Sequence, residues 1–111
     1  PLLVSVHQNS YPDARYSGAQ VFYGRTEESR IWGEAAQEIL RQCLDENNSR
    51  AAKRIPDTVY LMNHISCPAI LVECGFMSNR EEAARLQTPE YQKKLAAALT
   101  GACLQYIHSD T

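Results

Sequence analysis

The stretch AILVECGFMSN, residues 69–79, carries four apolar residues straight into the carboxylate of Glu73. Near the start, LLVSVHQNS carries another apolar run into the imidazole of His7, with Asn9 two residues on. A buried carboxylate without a partner costs several kcal/mol, so Glu73 requires a cation, a hydrogen-bond donor or water at the rim of whatever sheet holds it. Taken singly, each residue has a plain role: His7 as an imidazole at the core edge bonded to a carbonyl, Glu73 as an acceptor for a helix terminus. Taken together, an imidazole and a carboxylate ending two separate apolar strands would meet at one rim, a geometry that suits a metal-activated water served by a general base. Cys74 directly follows Glu73, so in an extended strand its side chain faces the other way. A thiol nucleophile there, with His7 as its base, is the rival chemistry, and it lacks the flanking glycines of a nucleophile elbow. Gly75 is expected to give backbone freedom for a sharp turn under the site. Asn9 would orient the ligand, touch substrate, or form an Asx turn in its loop.

The elements that must hold these groups follow from pattern. Leu2 to Val6 predicts a strand ending at His7, and QNSYPDARYSG predicts a loop, whose Tyr11 and Tyr16 could hold sugar rings. Ala19 to Tyr23 predicts a second strand, closed by Gly24. Thr26 followed by Glu27 and Glu28 marks a helix start, and Trp32, Ala36, Ile39 and Cys43 recur at helical spacing to about Asp45. DENNSRAAKRIPD predicts an exposed connection, its Arg50 to Arg54 charge run a solvated surface or a contact for substrate carboxylates. TVYLMNHISCP is either a short strand or a turn of helix. Ala69 to Cys74 predicts a strand buried on both faces. Asn79 and Glu82 have the spacing of a capping box for a short helix. Thr88 and Pro89 start a last helix with Tyr91, Leu95, Leu99, Ala102 and Tyr106 on one side, His108 falling in a fraying tail. Strands alternating with helices predict an α/β fold: a mixed, mostly parallel sheet flanked by helices, with ligands at the carboxyl ends of its strands.

A chain of 111 residues with a net charge of -2 fits one small domain burying about two thirds of its unfolded surface. Mixed acids and bases give no electrostatic reason to expect nucleic acid or an anionic membrane as partner. No apolar run approaches the roughly 20 residues of a membrane span, and the opening PLLVSVHQNS has no signal-peptide pattern. Because the sequence opens on what reads as a buried strand, residues 1–111 are expected to be the C-terminal part of a larger domain whose upstream half is absent. An uncovered edge along Leu2 to Val6 would then favour self-association. Four cysteines without a C-x-x-C pair are expected to be free core thiols, not a zinc ribbon.

LLVSVHQNS followed by GAQVFY, then CPAILVECGFMSNREEAARL followed by YQKKLAAAL, resembles the C-terminal portion of the zinc-dependent N-acetylmuramoyl-L-alanine amidases. These bacterial hydrolases cut the amide between the lactyl group of muramic acid and the L-alanine of the peptidoglycan stem peptide. The resemblance implies a phosphorylase/hydrolase-like fold, a Zn2+ cofactor with His7 as one ligand, Glu73 as the catalytic carboxylate, peptidoglycan as partner, and an extracytoplasmic location in cell-wall degradation. The family's other two zinc ligands, a His and a Glu, come from segments before the point where this sequence begins. His64 and His108 match neither position, so the chain alone is expected to bind zinc weakly and hydrolyse little. A wall-binding or partner-binding module without catalysis, and a thiol hydrolase on Cys74, are the alternatives.

Overall fold

The computed structural model describes residues 1–9, 17–76 and 78–109, the side chains of Asn9 and Ser109 excepted. In chain order the elements are β1 (Leu3–Asn9), β2 (Gln20–Tyr23), α1 (Glu27–Leu44), β3 (Lys53–Arg54), α2 (Tyr60–His64), β4 (Ala69–Phe76), α3 (Arg80–Leu86) and α4 (Pro89–Ser109). The strands form one sheet in the order β1-β4-β2-β3. β1 and β4 are parallel, β2 and β3 are parallel, and β2 runs antiparallel to β4. This is the mixed, mostly parallel sheet that the alternation of elements predicts.

β4 is central, and only Leu71 among its eight residues is less than fully buried. On one face Ile70, Val72 and Cys74 join Val21 of β2, Trp32, Ala36 and Leu40 of the first helix, and Leu95, Ala98 and Ala102 of the last. On the other, Ala69 packs with Ile55 and Met62, with Leu3, Phe22 and Leu71 partly buried around them. A strand covered on both faces has no polar side to show water, which explains its nearly continuous apolar run.

The Thr26 hydroxyl caps α1 by accepting from the Ser29 N–H at 3.1 Å, as its position before two acids predicts. Arg30 pairs with Glu27 and Glu34, and Arg41 with Glu38, on the exposed side. The buried side differs from the expected stripe: it comprises Ser29, Trp32, Gly33, Ala36, Gln37 and Leu40, while Cys43 is exposed. Two of these are polar because they bond the sheet. The Ser29 hydroxyl accepts from Ala69 N–H at 2.9 Å, and the Gln37 amide accepts from Val21 N–H at 2.7 Å while donating to Ala19 O at 3.0 Å. Gln37 thereby satisfies the edge of β2 as a paired strand would.

The expected exposed connection contains β3, a two-residue strand beside Phe22 and Tyr23, and the ambiguous segment before Pro68 contains the short helix α2. α4 extends through His108, which lies in its last turn. Val6 of the edge strand β1 is 55% exposed. Among the described residues no helix is long and apolar enough to cross a membrane.

Candidate active site

His7 and Glu73 are register partners on the adjacent parallel strands β1 and β4. Neighbouring strands run about 4.8 Å apart, and partners in register project from the same face. The pair therefore shares one side of the sheet, with the imidazole exposed and the carboxylate 1% exposed. The Ser5 hydroxyl, two residues before His7 on the same face, lies 2.9 Å from His7 Nε2 and orients the ring. Neither residue ends its strand as the sequence led us to expect. β1 continues to Asn9 and β4 to Phe76, because a register shift after His7 brings Asn9 opposite Phe76 and keeps the strands paired.

Gly75 also departs from expectation. It is not in the left-handed region, where Gly18 at φ 90 is the sole glycine, and it makes no sharp turn. A Cβ at Gly75 would lie 2.7 Å from Glu82 Oε1, so the glycine is needed for close approach. Asn79 caps α3 through its own side chain, accepting from Glu82 N–H at 3.1 Å. The reciprocal half of the expected capping box is not made, since Asn79 N–H donates to Phe76 O at 2.9 Å.

The other candidates fall elsewhere. The backbone of Asn9 is in β1, but its side chain, like Tyr11 and Tyr16, lies outside the described residues. His64 stacks on Tyr60, ring centroids 3.9 Å apart, with Nδ1 2.7 Å from Tyr60 O. Arg50 is half-buried and is not merely solvated surface: Nε donates to Ser17 O at 2.8 Å and the guanidinium lies over the Phe76 ring at 5.0 Å. Its Nη1 donates to Gln20 Oε1 at 3.3 Å. Gln20, opposite Glu73 on β2 and 1% exposed, is a residue that sequence reasoning missed. Its amide donates to Ala51 O at 2.7 Å. A glutamine within a predicted strand carries no signal of such burial.

All four cysteines are free, with Cys74 in the helix-side core, on the face opposite Glu73. Burial, helped by the neighbouring Glu73 charge, pushes its thiol up to about 11. At pH 7 about one part in 10⁴ is then thiolate, which removes the nucleophile the thiol alternative needs. Iodoacetamide at neutral pH should label exposed Cys43 rapidly and Cys74 only on unfolding, and Cys74→Ala should leave any hydrolytic activity intact. Fast labelling of native Cys74 would contradict this.

Among the described residues no group of three or more His, Cys, Asp or Glu side chains is placed to hold a metal ion. His7 is a donor of the kind that zinc takes, and a catalytic zinc takes three protein ligands.

A family model described as N-acetylmuramoyl-L-alanine amidase (Amidase_3) matches residues 1–105, and the chain belongs to this family. It is 42% identical over 107 residues to the germination-specific N-acetylmuramoyl-L-alanine amidase of Bacillus subtilis, covering 96% of this chain and 44% of that protein. The CwlD amidase of Clostridioides difficile, solved in complex with the GerS lipoprotein, superposes with a TM-score of 0.92 at 34% identity, covering 97% of this chain and 55% of that one. An N-acetylmuramoyl-L-alanine amidase of Nostoc punctiforme gives 0.83 at 30% identity, over 96% and 58% of the two chains. The chain thus spans about half the length of these relatives.

Proposed function

We propose that the chain is part of a zinc-dependent amidase domain cleaving the bond between the muramic-acid lactyl group and L-alanine in peptidoglycan, outside the cytoplasm. The observation that carries this reading is the registration of His7 with Glu73 on one sheet face. His7 would be one zinc ligand, the remaining two coming from residues beyond these 111. Zinc in such a site polarises a carbonyl and lowers the pKa of bound water.

Glu73 is the general base: its carboxylate removes a proton from the attacking water and returns it to the departing amine of L-alanine. A carboxylate 1% exposed is little solvated, which strengthens its interaction with whatever charge faces it. Ser5 steadies the His7 ring, and Asn9, two residues further along β1, would contact substrate.

The test is to incubate the full-length protein, loaded with zinc, with purified muropeptides and measure new L-alanine amino termini. Hydrolysis that a chelator abolishes and zinc restores is the expected result. Binding to cell walls without release of stem peptide would favour a non-catalytic binding module. Calorimetry on the bare 111-residue chain should detect no tight stoichiometric zinc binding; a tight one-to-one isotherm would contradict the ligand assignment.

A further inference from the structure

Glu82 is a buried carboxylate that the proposed hydrolysis does not use. It is 3% exposed, in the first turn of α3. Oε1 accepts from Phe76 N–H at 2.6 Å and Oε2 from Gly18 N–H at 2.7 Å, while the exposed Arg85 guanidinium stands 3.7 Å from Oε2. Phe76 closes the strand that carries Glu73, and Gly18 lies just before β2, at the close of the connection that leaves β1 beyond His7. One carboxylate therefore bonds the backbones of both segments leaving the candidate site. Bonds from backbone N–H to an ionised carboxylate are shorter and roughly twice as strong as neutral ones.

The helix start does not need this group, because the Asn79 side chain already caps it. The sequence also makes room for the group, since a Cβ at Gly75 would press on Oε1 at 2.7 Å, Cγ at 2.8 Å and Cδ at 3.0 Å. We propose that Glu82 is a positioning residue for Glu73. By fixing the carboxyl end of β4 against the entry to β2, it sets the direction in which the Glu73 side chain presents its oxygens. This rests on the reading of Glu73 as general base.

Glu82→Gln keeps the shape and one acceptor but turns an NH2 donor towards an N–H donor, so one of the two bonds is lost. In the zinc-loaded full-length protein acting on muropeptides, it should lower kcat about 10²-fold, as a displacement of about 1 Å at a reacting group does. KM should change little. Hydrogen exchange should show faster exchange at Gly18 or Phe76 with the amides of α1 still protected. Gly75→Ala, which displaces the carboxylate without removing it, should give the same kcat signature, and the double variant should be no worse than either single one. Gly75→Ala also carries the test if Glu82→Gln does not fold.

Wild-type kcat in folded Glu82→Gln, or additive losses in the double variant, would overturn the proposal. So would a kcat loss that vanishes at temperatures where the variant is fully folded, since that marks a stability effect. Absence of hydrolysis by the wild type would instead sink the reading of Glu73, and the exchange data would still decide whether Glu82 holds the two segments.

Discussion

Glu73→Gln in the zinc-loaded full-length protein is expected to lower kcat by about 10³-fold while leaving KM and the fold nearly unchanged. Positioned general acid–base groups contribute about 10² to 10⁴ in rate, and 10³ corresponds to about 4 kcal/mol of transition-state stabilisation. Glutamine matches glutamate in shape, so the paired strands either side are not disturbed, but its amide takes no proton. Rate loss without stability loss is the signature of a residue held for chemistry at some cost to the fold. A variant with near wild-type kcat would remove Glu73 from the reaction.

Trp32→Ala is expected to cost about 3–5 kcal/mol of folding stability. Trp32 is fully buried between the first helix, the sheet and the last helix, its ring stacked on Tyr106 with centroids 5.3 Å apart. Against a total stability of about 5–15 kcal/mol, that loss would leave a sizeable unfolded fraction in a small domain. Trp32→Phe should cost much less. It keeps most of the apolar volume and removes an indole N–H that has no hydrogen-bond partner among the described residues. Urea unfolding of the two variants gives the comparison, and an alanine variant within about 1 kcal/mol of wild type would contradict the packing described.

The strands and long helices were legible because each repeats one periodicity over enough residues. β4 opens on four consecutive apolar residues, and α1 has a hydroxyl cap followed by acids. β3 was not legible, since two exposed basic residues have no pattern and become a strand only through Phe22 and Tyr23. α2 is too short for helical period to show. The buried stripe of α1 was misplaced for a different reason: Ser29 and Gln37 are polar, and only the backbone groups they meet on β4 and around β2 make their burial affordable.

The chemistry of the candidate site was legible in its residue types, an imidazole and an acid each set in an apolar run. Their register was not, because pairing between β1 and β4 is a property of the assembled sheet. Glu82 shows the same limit. Spacing marks it as a capping residue, yet its carboxylate turns to Gly18 and Phe76, partners distant in sequence or on another element.

The central claim, that His7 and Glu73 face one divalent ion, is tested most directly by anomalous diffraction at the zinc edge from crystals of the zinc-loaded full-length protein. The account predicts a peak about 2.0–2.1 Å from a His7 ring nitrogen, on the sheet face that carries Glu73. A zinc peak bound elsewhere, with the His7 imidazole unligated, would contradict it.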